Sequence, residues 1–313
     1  MKLILKPKLS NDYIVTLASG TNYIQDFKKF VLDSWIKYCE INDLGLVYFD
    51  KELIEKSDPS WKKSNWQKFL IPFELKKRIA NLSNICYLDT DILINPSSPN
   101  IFNYHKEDKI TVVSQEKNLP YDLNEVRKKV SYFRHNYYSK NYKLDSSIFL
   151  TPKEIYKYHS RDEDVDDYIC SGLYILNVNK YADFFKQIFF KYKNDDISLS
   201  GGEQFYFNFE LFKLNKTNYI DYKFQALWVY EMAHYFPFLY YNKDQLETVA
   251  SRAIQSSLLS NYFLHFAGSW DESELYKNEN ILNEEFFLLC HGINEYKKQK
   301  IDYRPQGINK PTL

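Results

Sequence analysis

Ile85-Cys86-Tyr87-Leu88-Asp89-Thr90-Asp91-Ile92-Leu93-Ile94 is the stretch on which the reading of this chain turns. A short apolar and aromatic run, with Asn81 to Asn84 before it and Asn95-Pro96 after it, has the pattern of a strand in a covered α/β sheet. Two carboxylates one residue apart at the end of such a strand are costly to bury unpaired, and a divalent cation is the simplest counter-charge. Hard oxygen ligands suit magnesium, manganese or calcium, and an ion held by few side chains keeps positions open for phosphate oxygens. The competing reading is an Asx-rich turn whose carboxylates cap the following backbone. Asp-x-Asp alone does not decide between them, but the carboxyl end of a strand is where α/β sheets bind their ligands.

Around this stretch, 313 residues suit one large α/β domain with excursions better than two small ones. Acidic and basic residues balance at 41 each, so no overall field points to nucleic acid or an anionic membrane. Cys39, Cys86, Cys170 and Cys290 lie far apart without Cys-x-x-Cys spacing, which speaks against a zinc ribbon and for thiols in a reducing compartment. Met1 to Leu5 is too short for a signal peptide, and no stretch reaches the length of a membrane span. The expectation is a cytoplasmic protein, with a peripheral place at the inner membrane surface left open. The plentiful Tyr (28) and Phe (23), set among much Lys, Asn and Ile, fit a coding bias better than sugar-stacking surfaces.

In chain order, Tyr13-Ile14-Val15-Thr16-Leu17 predicts a first strand, broken by the turn chemistry of Ala18-Ser19-Gly20-Thr21-Asn22. Ile24, Phe27, Val31, Trp35 and Tyr38 recur at helical spacing, and Leu46-Val47-Tyr48-Phe49 is a second strand, making a βαβ unit. Trp66, Leu70, Phe73 and Leu75 predict a helix interrupted near Pro72, with Lys68 on it; a lone helical lysine is ordinarily solvated. Ile110 to Ser114 reads as a strand. Residues 115–167 then read as a charged insert, either a lid or a routine helical insertion. Leu173 to Val178 is a further strand, followed by a helix marked by Tyr181, Phe184, Phe185, Ile188, Phe189 and Tyr192. Ser200-Gly201-Gly202-Glu203-Gln204 opens another helix, where Glu-Gln in the first turn is ordinary capping. The aromatic residues between Tyr219 and Tyr241 read as core packing rather than as a sugar platform. His265 ends the apolar run from Tyr262 and would be a satisfied core histidine were there no Asp-x-Asp in want of a third ligand. Residues 280–300 read as a terminal helix and tail.

Taken together, these blocks resemble the GT-A fold of nucleotide-sugar glycosyltransferases, and most closely glycosyltransferase family 8, the retaining group that includes lipooligosaccharide galactosyltransferases and glycogenin. Tyr87 to Leu93 is similar to that family's metal motif, Ala18 to Asn22-Tyr23 to its first nucleotide-binding loop, and Lys68 falls where it carries a basic residue near the diphosphate. Cys170-Ser171-Gly172 to Asn177 resembles its Asn-x-Gly segment, and Glu203-Gln204 to Asn208 its Asp-Gln-x-x-x-Asn block. His265-Phe266-Ala267-Gly268 matches its His-x-x-Gly element, whose His is the third metal ligand. The chain departs from the family at four places: Gly20 stands for an acidic residue, Cys170 for Asn, Glu203 for Asp, and Ser269-Trp270 where Lys-Pro-Trp is usual. Lys277 is a candidate for the missing cation.

The resemblance implies an α/β GT-A (Rossmann-like) fold with a mixed, mostly parallel central sheet flanked by helices. It implies one catalytic domain over residues 1–270 and a helical tail over 271–313. It further implies a hexosyl-transferring enzyme that uses Mn²⁺ (or Mg²⁺) held by Asp89, Asp91 and His265. A UDP-sugar would be bound by Ala18, Asn22, Tyr23, Lys68, Thr90, Ser171, Gly172 and Gly268, and the acceptor would be a glycan or lipid-linked saccharide. Gln204 and Glu203 would lie at the reacting carbon, with retention of configuration. An inverting enzyme would instead need a carboxylate base, for which Asp166, Asp167 and Glu203 are candidates. Two rivals stand beside this reading. One is a haloacid-dehalogenase-type phosphatase with Asp89 as nucleophile, although Leu93 stands where Thr or Val is usual. The other is a nucleotide-sugar-binding protein without turnover.

Overall fold

Strand residues in this chain alternate between two apolar surfaces, and that alternation builds the architecture. A computed structural model describes residues 1–137, 147–193, 202–241, 247–268 and 270–299. Its strands are β1 (Lys2–Leu5), β2 (Asp12–Leu17), β3 (Gly45–Phe49), β4 (Asn84–Leu88), β5 (Ile92–Ile94), β6 (Ile110–Val113), β7 (Leu173–Asn177), β8 (Thr217–Ile220), β9 (Ala226–Leu227) and β10 (Phe263–His265). Seven form a mixed sheet in the order β1-β3-β2-β4-β7-β6-β8, and β5, β10 and β9 form a second. β2 runs parallel to β3 and β4, and β6 to β8, while β7 runs antiparallel to both β4 and β6. The expected mixed α/β sheet flanked by helices is therefore present.

Along β2, β4 and β7, Ile14, Cys86, Leu88, Leu173 and Ile175 face one core, and Tyr13, Val15, Ile85, Tyr87, Tyr174 and Leu176 face the other. A sheet covered on both faces needs such continuous apolar strands. The helices supply the cover: α1 (Thr21–Asp26), α2 (Leu32–Asn42), α3 (Ser64–Gln67), α4 (Ile71–Arg78), α5 (Leu123–Tyr137), α6 (Pro152–Tyr158), α7 (Val178–Lys191), α8 (Glu203–Leu214), α9 (Trp228–Tyr235), α10 (Glu247–Ser260) and α11 (Glu284–Lys298). On α2, Trp35 and Tyr38 are fully buried. Trp35 donates from Nε1 to the Ile92 carbonyl at 2.7 Å, tying the helix to β5. Phe185 and Phe189 of α7 pack with Phe69 and Leu75 on the opposite face. Side chains of this size contribute roughly 1.5–3 kcal/mol each when fully buried.

Three expectations change. The run from Ile85 to Ile94 is two strands in two sheets, not one. Asp89 N–H bonds to the Gly172 carbonyl (2.8 Å) and closes the first sheet, whereas the Asp91 carbonyl accepts from Phe266 N–H (3.0 Å) and starts the second. The described part of the insert is helical, as α5 and α6, so of its two readings the routine one holds there; residues 138–146 lie outside the described residues, as do Ser200, Gly201, Ser269 and residues 300–313. The terminal helix starts at Glu284 rather than near Asn280, because the Asn283 side chain caps it by accepting from Phe286 N–H. The break at Pro72 has a simple cause. A 3₁₀ turn over Lys68–Leu70 precedes α4, and Pro72 sits in the first turn of α4, where its missing N–H is harmless.

Candidate metal centre

Three strand ends bring together the acidic pair and the imidazole. Asp89 follows β4, Asp91 precedes β5, and His265 ends β10, whose antiparallel register sets His265 opposite Ile92. One ligand atom from each of the three lies within 4.8 Å of the other two. His265 Nε2 is 3.2 Å from Asp91 Oδ1 and 4.0 Å from Asp89 Oδ2. Atoms bound cis on an ion at about 2.1 Å are about 3 Å apart, so the set suits a divalent cation. Asp91 Oδ1 adds a second sign. It is buried and accepts no hydrogen bond even with Nε2 so near, so the spacing is right and the direction is not, as for two ligand atoms aimed at a common point. Mixed carboxylate and imidazole donors do not by themselves choose the metal.

The electrostatics agree. Burial opposes charge on His265, but the Asp91 carboxylate and Cys170 outweigh it and raise the imidazole well above its usual value. Burial likewise opposes the charge of Asp91, and His265 overrides it to hold that carboxyl below its usual range. A cation bound through Nε2 needs that nitrogen without its proton, so metal and proton compete for this ring. Its other nitrogen, Nδ1, lies 3.3 Å from Gln225 Nε2 and 3.7 Å from Cys170 Sγ, which fix the plane of the ring. Gly172 makes the approach possible: a Cβ there would press on His265 Cε1 and come within 2.7 Å of Asp89 Oδ2.

Beside this centre lies a second polar cluster, in which Lys68, Ser171 and Glu203 are buried and Asn65 and Gln204 half-buried. Lys68, only 2% exposed, reaches Ser171 Oγ at 2.8 Å, Glu203 Oε1 at 2.9 Å and Asp89 Oδ1 at 3.8 Å. Burial opposes its charge, and Asp89 and Glu203 outweigh that, so its amine is held above the usual lysine value. Lys68, expected near a diphosphate although a lone helical lysine is ordinarily solvated, is buried here because its partners come from distant parts of the chain. Glu203 also accepts from Ser171 Oγ at 3.0 Å and from Asn65 Nδ2, while Gln204 Oε1 accepts from Ser171 N–H at 3.1 Å. Asn208 anchors α8 to the start of β7, with its Oδ1 accepting from Ile169 N–H at 2.8 Å and its Nδ2 donating to the Ile169 carbonyl at 2.8 Å. Helix α8 follows Gly202 (φ 80°), and Glu203 and Gln204 in its first turn direct their side chains into this cluster.

The other expected residues are distributed as follows. Ala18 is buried and donates from its N–H to the Phe49 carbonyl at 2.8 Å, where β2 and β3 end side by side. Asn22 and Tyr23 stand exposed on α1, and Tyr23 is 65% accessible. Thr90 lies half-buried between the two aspartates. Gly268 takes φ +104°, which a side chain rarely adopts. Lys277 is already shared between Asp26 at 2.9 Å and Glu274. Of the candidate bases, Asp166 pairs with Lys117 on the surface, and Asp167 accepts from Ser114 Oγ at 2.6 Å. Sequence reasoning gave no part to Asn65 or Gln225. Neither belongs to a local motif, and each arrives at the site through tertiary contacts.

Fold and site together define an α/β protein whose two sheets meet at an Asp-Asp-His group able to hold a divalent cation. No family model and no curated protein sequence matches the chain. Among solved structures it is similar to a glycosyltransferase involved in the glycosylation of the major capsid of PBCV-1, with 9% identity over 85% of this chain and 98% of that one and a TM-score of 0.48. It is similar also to the WbbM bifunctional glycosyltransferase (12% identity, 92% of this chain and 52% of that one, TM-score 0.49). The third is GlyE of Streptococcus pneumoniae TIGR4 (11% identity, 91% and 64%, TM-score 0.44). Likeness at this level leaves the reaction to be argued from the site. Among the described residues, no helix is long and apolar enough to cross a membrane.

Proposed function

We propose that the chain is a metal-dependent glycosyltransferase that moves a sugar, a hexose, from a nucleotide-diphosphate sugar to a hydroxyl acceptor. The donor is a UDP-sugar, the metal Mn²⁺ or Mg²⁺, and the acceptor a glycan or lipid-linked saccharide. The observation that carries this is the adjacency of the Asp89-Asp91-His265 group to the Lys68–Glu203–Ser171–Gln204 cluster, joined through the contact of Lys68 with Asp89. The first suits a cation on a diphosphate and the second an array of hydroxyl-reading groups, and a nucleotide-sugar presents both chemistries at neighbouring positions. The GT-A resemblance of the motifs supports the same reading, with residues 1–270 as the catalytic unit and Ala18, Asn22, Tyr23, Thr90, Gly172 and Gly268 about the nucleotide. Buried free thiols at all four cysteines support a reducing compartment such as a cytoplasm.

Asp89, Asp91 and His265 would hold the cation, which when bound supplies Lewis-acid charge against the diphosphate. Lys68 holds Glu203 in place, and through Ser171 it fixes Gln204 at the sugar. A pre-set polar array of this kind is worth several kcal/mol to a transition state because it need not reorganise. Glu203 Oε1 is engaged by Lys68 and Ser171 and Oε2 by Asn65, so its orientation is set by three partners. Retention without a protein nucleophile is the course that the resemblance to glycosyltransferase family 8 supports. The anomeric carbon–phosphate oxygen bond breaks, the acceptor oxygen bonds on the same face, and its proton passes to the leaving phosphate.

The test is turnover of a UDP-sugar panel with Mn²⁺ by wild type and Asp91→Asn, the fold of each checked by circular dichroism. Donor consumption in wild type that vanishes in the variant supports transfer, and its absence in wild type across all donors sinks it. Anomeric NMR of the product settles the stereochemistry, and an inverted linkage would remove the retaining mechanism.

A further inference from the structure

We infer that Tyr87 is a positioning residue for the cation, holding Asp89 so that Oδ2 rather than Oδ1 is the ligand atom. The inference rests on the metal reading of the site proposed above. Tyr87 is the last residue but one of β4, two before Asp89, and its hydroxyl donates to Asp89 Oδ1 at 2.7 Å. Its ring cannot drift, because its register partner on β7, Tyr174, stacks on it with centroids 5.0 Å apart and planes 15° from parallel. Tyr174 is fixed in turn by donating from its hydroxyl to the Lys68 carbonyl at 2.9 Å. Lys68 adds its ammonium on the same side, 3.8 Å from Asp89 Oδ1 and 5.6 Å from the centre of the Tyr87 ring.

The two oxygens of Asp89 thus have different surroundings. Oδ1 is occupied by a hydroxyl and an ammonium from the protein, while Oδ2 faces His265 Nε2 and the bare Cα of Gly172. A carboxylate held by one oxygen presents the other in a single direction, whereas a free one rotates and chelates with both. Groups that orient a metal ligand in this way are worth about 10- to 100-fold in affinity.

The experiment is a titration of Mn²⁺ alone into wild type, Tyr87→Phe and Tyr181→Phe, read by the electron paramagnetic resonance of free Mn²⁺, with thermal melts to check each fold. Tyr181→Phe removes a tyrosine hydroxyl from α7 that bonds the Asp108 carbonyl and serves as the control. The expected result is a loss of about 10- to 100-fold for Tyr87→Phe and no change for Tyr181→Phe. Equal affinity in wild type and Tyr87→Phe overturns the inference and leaves the metal reading standing. A wild type that binds no Mn²⁺ overturns both. Should Tyr87→Phe not fold, a crystal structure of Mn²⁺-loaded wild type decides. Monodentate Oδ2 with Oδ1 still on Tyr87 upholds the inference, and bidentate Asp89 or ligation through Oδ1 ends it.

Discussion

A Cβ on Gly172 lands against the His265 ring and 2.7 Å from Asp89 Oδ2, so the one position in β7's approach that touches two ligands at once has room for hydrogen only. Gly172→Ala should therefore push the ligands apart. Mn²⁺ affinity is expected to fall at least about tenfold, as when a ligand's supporting contacts are lost, and calorimetric titration showing wild-type affinity would contradict this. Lys68 gives a second residue-scale prediction. Removing it leaves Glu203, 5% exposed, as a buried charge without its cation, which costs about 3–5 kcal/mol. Lys68→Met should lose that much in urea denaturation, and the double variant Lys68→Met/Glu203→Leu should regain part of the stability and none of the turnover. Recovery of turnover in the double variant would show that the pair is structural only. The acidic pair and His265 were legible because residue type and order carry the chemistry. The burial of Lys68 was not, since a lysine on a helical segment looks the same in sequence whether it meets water or Glu203.

At the scale of elements, the Asp-Thr-Asp turn is a seam between two sheets, with one backbone bond to β7's approach and one to the residue after β10. The sequence shows an apolar run on each side of that turn but cannot show which partner each half takes, because pairing is set by residues such as Gly172 and Phe266 far along the chain. The βαβ unit from β2 to β3 was legible for the opposite reason: its strands pair with each other, Val15 opposite Val47, and its helical period lies between them. Helix α9 offers a test of an element's anchoring. Its Glu231 is buried, and it accepts from Tyr222 at 3.0 Å, Ser257 at 2.9 Å and Asn261 at 3.0 Å, with no ion pair to it among the described residues. Burial raises its carboxyl above the ordinary 4.5, and the three donors only partly offset that. The folded state therefore binds this proton more tightly than the unfolded chain. Its stabilising contribution is full below about pH 4.5 and is lost as pH rises through the folded value. Glu231→Gln should compare more favourably with wild type at pH 7 than at pH 4.5, measured by urea midpoints. A difference independent of pH would show that Glu231 titrates alike in both states.

Across the whole molecule, the two apolar cores on either face of the seven-stranded sheet hold the ends of β2, β4 and β7 in line, and the short β5-β10-β9 sheet delivers His265 to them. Helix α11 adds Phe286 and Cys290 to the same core that holds Trp35 of α2, so the end of the described chain helps brace the helix that bonds to β5. The architecture class followed from strand composition, whereas the order of strands in the sheet did not, since nothing local says that β7 separates β4 from β6. The most direct test of the central claim is release of nucleoside diphosphate from a UDP-sugar by wild type and His265→Ala, each with Mn²⁺, after chelation, and after Mn²⁺ is restored. The expected result is turnover that chelation abolishes and Mn²⁺ restores, lower by at least about a hundredfold in His265→Ala. Turnover indifferent to chelation, or equal in the two proteins, would contradict it.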